Sequence, residues 1–435
     1  MSNIPMTRPE EAIAVHKDPK FRTSSFVELQ EGRILQTNGR TFSTSDDGGI
    51  TWSEDIQSTD ENDGIVTADQ LVNLSDGAIG AAGRWMEPSA PRFSVHAKRS
   101  SHYRFWRSED RGETWKSPVR IQPPGIVMHA YQHVLIRTSS GRLVLPLYSS
   151  IGQGTWHQEG APFVGGYLNG NFVSSDAHFF DPHFSSCYVV YSDDEGLTWQ
   201  TNRDGELLII LEPGGPRHYA NEPAVEEISP GKLMMIMRTG LGRMFQAWSD
   251  DDGTSWSRPE PTQLAGTNAP GQVRKLPRTG HLIAVWTQQS EREIKQGYIR
   301  TRLSSAVSRN EGGVWEKFQN VESLHEETHV EAGPIRLVRP EGRYPMAQSA
   351  AAEIDADQTV HFESYGRWSY PSVLALEDRV LISHSYSTHD KATGESNSQG
   401  AMLKVLPISW FYGGQDPDNA ENSVLTKISE LPPRP

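Results

Sequence analysis

Four copies of one short signature recur along the chain: Ser45-x-Asp47-x-Gly49-x-Thr51-Trp52, Ser108-x-Asp110-x-Gly112-x-Thr114-Trp115, Ser192-x-Asp194-x-Gly196-x-Thr198-Trp199 and Ser249-x-Asp251-x-Gly253-x-Ser255-Trp256. A fifth, altered copy follows at Ser308-x-Asn310-x-Gly312-x-Val314-Trp315. Repetition at roughly 60-residue spacing limits the chain to an array of like units, and so sets the architecture before any local reading. Asp bonds its own backbone two residues on, and Gly supplies the positive φ of a tight hairpin, so Asp-x-Gly closes a turn. The Trp then packs its ring on neighbouring hairpins. Each copy follows a strand-like run, such as Cys187-Tyr188-Val189-Val190-Tyr191. The signature therefore marks a strand-turn-strand corner and belongs to the scaffold.

A second repeat precedes the first within each unit: an apolar run, a turn, and another apolar run. It reads Phe26-Val27-Glu28-Leu29 to Gly32, Leu71-Val72-Asn73-Leu74 to Gly77, His133-Val134-Leu135-Ile136 to Gly141, and Ala224-Val225-Glu226-Glu227-Ile228 to Gly231. Gln272-Val273-Arg274-Lys275-Leu276 to Gly280 and Ser372-Val373-Leu374-Ala375-Leu376 through Glu377-Asp378 complete the set. Alternating apolar residues joined by such turns read as the inner hairpin of a blade, with the Asp signature joining the outer strands. The expectation is an all-β, six-bladed propeller spanning residues 1–435 as a single domain. The run Met402 to Tyr412 should complete the last blade together with N-terminal residues. The segment near 150–187, rich in Gly, His and Phe, reads as an insertion that walls a pocket; the alternative is that it hides an irregular seventh blade.

Composition agrees with a turn-rich sheet protein, with 38 Gly, 28 Pro and 12 Trp in 435 residues. A net charge of -14, with no basic stripe, argues against nucleic acid or an anionic membrane surface as partner. The single Cys187 excludes an intrachain disulfide framework and zinc held by several thiolates. The start, Met1 to Arg8, carries no apolar stretch, so the expectation is a chain without signal peptide or anchor, cytoplasmic, or secreted after trimming.

In a propeller the innermost strand of every blade starts near the axis, so the residues just before each inner run should converge. Those positions hold Arg22, Thr67 or Asp69, His129 to His133, Asn221 or Glu222, Asn268, and Ser369 or Tyr370. Scaffold alone would place apolar groups there. A cation, carboxylates, imidazoles, amides and a phenol instead point to a polar ligand site at the axis.

These residues also carry a family resemblance. Phe21-Arg22-Thr23-Ser24-Ser25-Phe26-Val27 resembles the Arg-containing opening segment of the sialidase (neuraminidase) superfamily, whose members carry BNR, or Asp-box, repeats on a β-propeller. Asn221-Glu222-Pro223-Ala224-Val225, followed by Leu233-Met234-Met235-Ile236-Met237-Arg238, resembles the Glu segment with its Arg one strand later. Tyr298-Ile299-Arg300-Thr301-Arg302-Leu303 resembles the third Arg segment, and Ser369-Tyr370-Pro371-Ser372-Val373 the Tyr segment. Arg300 and Arg302 alternate faces, and only one can point inward; Arg300 is the preferred choice. For the second position Arg243 competes with Arg238.

The resemblance implies an exo-acting glycoside hydrolase that removes a terminal acidic sugar, without cofactor or metal. Arg22, Arg238 and Arg300 would clamp the sugar carboxylate, since guanidinium forks suit a carboxylate better than Lys. Tyr370 would attack the anomeric carbon as a neutral phenol, with Glu222 drawing off its proton; sialidases depart in this from the usual pair of carboxylates. The sequence also departs from the family. The stretch Gln36 to Phe42, where the acid/base Asp is expected, contains no carboxylate, and Arg22-Thr23-Ser24 replaces the Arg-Ile-Pro triplet. Asp69 is the substitute general acid, with Asp60 and Asp63 behind it.

Two further readings share the anionic sugar. His129-Ala130-Tyr131-Gln132-His133, with His157, His178 and His183 in the insertion, would suit β-elimination on a uronate, one group removing the C5 proton and another protonating the leaving oxygen; the alternative is that these His are wall residues or bond the backbone. A non-catalytic acidic-glycan-binding propeller would keep the arginines and need no acid/base. The spacing His178-x4-His183 fits no zinc or calcium template.

Overall fold

The computed structural model describes residues 11–17, 21, 24–86, 101–121, 130–151, 165–168, 171–174, 183–210, 217–295, 300–336, 338, 364–390 and 396–418. Six antiparallel sheets follow one another as the blades of a propeller. Blade one has the strands Ser25–Glu28, Ile34–Thr37 and Phe42–Ser45, with Ile56 bridging back to Phe42. Blade two has Gln70–Asn73, Ile79–Met86, Ser101–Ser108 and Val119–Ile121. Blade three has Ile136–Arg137, Leu143–Ile151, His183–Ser192 and Gln200–Thr201, with Arg217–Tyr219 running parallel to the third strand. Within the insertion, Gly165–Leu168 pairs with Asn171–Ser174 as a hairpin. Blade four has Asn221–Ser229, Lys232–Arg238, Arg243–Ser249 and Glu260–Ala265, and blade five Gly271–Lys275, Leu282–Thr287, Arg302–Ser308 and Glu316–Ser323.

Blade six closes the ring. Its own strands Ser364–Ala375, Arg379–Asp390 and Ser396–Pro407 receive the N-terminal strand Ala14–Lys17 as the fourth, with Ala14 opposite Val405 and Lys17 opposite Met402. The two ends of the described chain thus share one sheet, as the sequence pattern predicts.

The Asp signatures join third and fourth strands, and all are built alike. In the first, Ser45 Oγ donates to Asp47 Oδ1 at 2.8 Å and accepts from Gly49 N at 2.8 Å. Thr51 donates its N–H to Asp47 Oδ1 at 2.8 Å and its hydroxyl to Oδ2 at 2.6 Å. Against a desolvation push upward, these bonds hold the Asp47 carboxyl down at about 2, below its ordinary 3.8. The fifth copy keeps the backbone bonds, Gly312 N to Ser308 Oγ at 2.9 Å and Val314 N to Asn310 Oδ1 at 2.8 Å, and lacks the Thr hydroxyl.

The signature glycine serves a second purpose beyond its φ of 91° at Gly196. A Cβ there would lie 2.1 Å from Phe105 of blade two, and one at Gly312 2.7 Å from Met234 of blade four. The following tryptophans press on the same neighbours: Trp199 meets Phe105 with ring centres 5.5 Å apart, and Trp115 meets Phe42 at 5.4 Å. The corner that ends each sheet is therefore the surface on which the preceding blade seats.

Along the axis, the residues ahead of blade three's first strand reach four other blades. Gln70 of blade two donates to Tyr131 O at 2.7 Å and accepts from Val134 N at 2.7 Å. The His133 ring accepts from Ser25 Oγ of blade one at 2.9 Å and donates to Val373 O of blade six at 2.9 Å. Gln272 of blade five donates to Gln132 O at 2.9 Å and to His133 O at 3.0 Å.

Two outcomes are expected. Gly196→Ala should destabilise the protein by about 2–3 kcal/mol in chemical unfolding, because both its φ and its contact with Phe105 forbid a side chain. Asp47→Ala should lower the thermal midpoint by about 1–3 °C and Asp47→Asn by less, as Asn310 preserves the turn. Since the folded-state pKa of Asp47 is depressed, its contribution is present above the unfolded value near 3.8 and fades as pH falls toward about 2. Thermal scans of wild type and Asp47→Ala should converge at that end.

Candidate active site

Glu222 and Tyr370 reach the axis by the same device. Each stands immediately before a proline, Pro223 or Pro371, in the innermost strand of its blade. Each has left-handed backbone, φ 40° at Glu222 and 58° at Tyr370, although a residue before proline is ordinarily held extended. The ladder slips at both places, between Asn221 and Ala224 and between Ser369 and Ser372. Proline donates nothing to a ladder and is tolerated at a bulge, and a bulge re-aims a side chain. Such backbone costs about 1–3 kcal/mol per residue and collects where side chains must be aimed.

The two side chains meet across blades four and six. Tyr370 Oη donates to Glu222 Oε1 at 3.2 Å. Arg238, at the end of the second strand of blade four, forms a buried ion pair with Glu222 through Nη1, and the same nitrogen donates to Tyr370 Oη at 3.3 Å. Arg238 Nε donates to Asn268 Oδ1 at 2.7 Å. Glu222 and Arg238 are only 6% and 2% exposed, whereas Tyr370, Asn268 and Arg300 are partly exposed. A neutralised, buried ion pair thus sits against a phenol that is partly open to solvent.

Arg300 also has left-handed backbone, φ 60°. Its N–H donates to Gln289 Oε1 at 3.0 Å, and its guanidinium donates to Ser369 Oγ and to Asn268 O, each at 3.3 Å. The guanidinium lies 5.1 Å from the centre of the Tyr370 ring. Arg302 is wholly buried and forked onto Glu293, with Nη2 2.8 Å from Oε1 and Nη1 3.2 Å from Oε2. Of the two candidate arginines, Arg300 is the one beside Tyr370. Arg243 donates to the carbonyls of Thr262, Ala332 and Gly333, so it braces a loop.

Asp69 precedes the inner strand of blade two and is partly exposed. Its Oδ1 accepts from Gln70 Nε2 at 3.0 Å. Desolvation lifts its carboxyl to about 7, overcoming the Gln70 hydrogen bond and the field of Arg84. The Asp69 charge in turn raises the Tyr103 phenol, where burial is the larger cause. Asp60 is committed to its loop, accepting from Asn62 N and Gly64 N at 3.0 Å each and from Trp106 Nε1 at 3.3 Å. Asp63 is exposed in the same turn, φ 59°.

The expectation for His133 needs correction. Both ring nitrogens are occupied by protein, and burial with the nearby Arg274 charge holds its pKa well below the ordinary value. It is a neutral strut and offers nothing to a substrate. Tyr131 is likewise buried and donates to Pro371 O, and burial raises its phenol well above the usual value. The described part of the elimination reading therefore loses its acid and base. Arg22 and His129 lie outside the described residues, as do His157 and His178; nothing is described of the His183 side chain.

Sequence reasoning placed Asn268 near the axis without a role. Its side chain holds Arg238 while its carbonyl holds Arg300. Gln289, buried beneath Arg300, and Tyr148, which feels the charges of Glu222 and Arg238, carried no local signal in apolar or polar runs of ordinary appearance.

Known proteins bear on this arrangement in two ways. In structure, the chain is similar to a Hadza microbial sialidase, at 14% identity and a TM-score of 0.53 over 92% of this chain and 67% of that one. It is similar to a protein of unknown function from Dyadobacter fermentans, at 16% identity and a TM-score of 0.53 over 92% of this chain and 99% of that one. A Trypanosoma rangeli sialidase in complex with 2,3-difluorosialic acid, a covalent intermediate, matches at 13% identity and a TM-score of 0.50 over 95% of this chain and 60% of that one. At such identities the likeness shows the propeller fold. In sequence, the BNR/Asp-box repeat matches residues 43–54 and the BNR repeat-like domain matches residues 90–382, well over half of the chain. With its Asp-box corners and six-bladed ring, the chain belongs to the BNR repeat-like domain family.

Proposed function

We propose that this protein is a sialidase-type glycoside hydrolase that removes a terminal acidic sugar from a glycan. The observation that carries the reading is the contact of Tyr370 with both Glu222 and Arg238. A phenol that donates to a carboxylate and accepts from a guanidinium can lose its proton to the one while the other stabilises the phenolate. Contacts of 3.2–3.3 Å stand at the long end of hydrogen-bond reach, and catalytic contacts of that length commonly tighten in the substrate complex.

In the proposed reaction Tyr370 Oη attacks the anomeric carbon as its proton passes to Glu222. The glycosidic C–O bond breaks, and the departing oxygen takes a proton from Asp69. Water then attacks the tyrosyl glycoside, giving a proton to the Asp69 carboxylate, and Glu222 returns the proton to Tyr370. A neutral phenol approaches an anomeric centre that bears a carboxylate without the repulsion a carboxylate nucleophile would meet. Arg300 would hold that carboxylate, with Arg238 behind it and Arg22 completing the clamp. A carboxyl lifted to about 7 is protonated at neutral pH in a large part of the molecules, as a general acid must be.

Five measurements test the reading. Tyr370→Phe should abolish release of a fluorogenic aglycone from a sialic acid glycoside while leaving the Kd of the product sugar within about twofold. Incubation with 2,3-difluorosialic acid should add the sugar mass to the peptide carrying Tyr370; binding without turnover or adduct would make the protein an acidic-glycan binder. Arg300→Ala should raise KM by about tenfold to a hundredfold. Asp69→Asn should lower kcat by about 10²–10⁴-fold on natural glycosides and much less on aryl glycosides, whose leaving groups need no proton. In wild type the alkaline limb should fall as pH rises through about 7, and that limb should vanish in Asp69→Asn.

A further inference from the structure

We infer that the segment Tyr131-Gln132-His133 of blade three positions Tyr370, an inference that rests on reading Tyr370 as the nucleophile. Three consecutive side chains of that segment bond carbonyls of one short stretch in blade six. Tyr131 Oη donates to Pro371 O, Gln132 Nε2 to Tyr370 O at 3.1 Å, and His133 Nε2 to Val373 O at 2.9 Å. The register slip between Ser369 and Ser372 takes Tyr370 and Pro371 out of the ladder, and carbonyls so freed need partners from elsewhere. Blade three supplies them from across the axis, since its sheet is not a neighbour of blade six.

The segment is itself locked. Gln272 donates to Gln132 O and His133 O and accepts from Val373 N at 2.9 Å, so one amide ties both stretches together. Arg274 adds a bond from Nε to Val373 O at 3.2 Å and another from Nη2 to His133 O. His133 has left-handed backbone as well, φ 55°, so a turn ahead of blade three's first strand faces the bulged turn of blade six and the two share their hydrogen bonds. If Tyr370 relaxed to the extended conformation favoured before proline, its ring would swing away from Glu222. The bonds from blade three oppose that relaxation.

Gln132 is the residue to test, because Tyr131 and His133 are buried in the core whereas Gln132 is partly exposed and bonds the carbonyl of Tyr370 itself. Gln132→Leu should lower kcat on a sialic acid glycoside by about tenfold to a hundredfold with KM changed less than about threefold and the unfolding midpoint unchanged. Gln132→Glu should show the same loss at neutral pH. Relative to wild type it should recover below about pH 5, because a carboxylic acid can donate to the Tyr370 carbonyl and a carboxylate cannot. A crystal structure of Gln132→Leu should show Tyr370 out of the left-handed region and farther from Glu222. Wild-type kcat in Gln132→Leu, or an unmoved Tyr370 in its crystal structure, overturns the inference. If wild type itself turns over no sialic acid glycoside, the nucleophile reading falls, and the crystallographic arm alone decides whether blade three holds the turn.

Discussion

The seating of each blade on the one before it is the contact on which the rest of this structure depends. A four-stranded sheet has two faces, and a lone blade would leave both in water. Here Val144 and Val189 of blade three pack with Val225 and Met235 of blade four, and Ile283 and Val285 of blade five with Val373 and Ile382 of blade six. The Asp-box corner makes the fit close, since a glycine lets the backbone of one blade rest on side chains of its predecessor. Closure by Ala14–Lys17 on Ser396–Pro407 gives the last blade the same support as the others.

Once the ring is closed, inner strands from separate blades deliver side chains to one small region. The electrostatics of that region are arranged in two tiers. Ion pairs lie buried below, Glu222 with Arg238 and Glu293 with Arg302, while Tyr370, Arg300 and Asn268 stand above them, partly exposed. A buried ion pair adds little net stability but is costly to break, because the surviving charge would be left without a partner. The lower tier therefore keeps the upper one in place. Asn268 links the tiers through its side chain on Arg238 and its carbonyl under Arg300.

Much of this was legible locally. The Asp signatures announce their turns because Asp, Gly and Trp each have a short-range reason to be there. The inner hairpins announce themselves by alternation and turn residues. The stretches Asn221-Glu222-Pro223-Ala224-Val225 and Ser369-Tyr370-Pro371-Ser372-Val373 share one pattern, and in the structure they share one bulge. His133 stayed open between the two roles because its residue type fits catalysis as well as scaffolding. What separates the two is whether both ring nitrogens find partners, and those partners, Ser25 and Val373, lie on blades one and six. Arg300 and Arg302 could be set on opposite faces by strand periodicity, but which face carries a buried glutamate depends on the short helix Glu291–Lys295 folding back beneath them.

The sequence by itself determined the all-β repeat, the place of every Asp-box corner and a set of polar residues expected near the axis. These follow from interactions within a few residues and from the order of the repeated inner runs. Only the tertiary structure decided which of those polar residues face one another. Tyr370 meets Glu222 and Arg238, and His133 is turned into the scaffold, because hydrogen bonds between blades far apart in sequence settle the direction of each side chain.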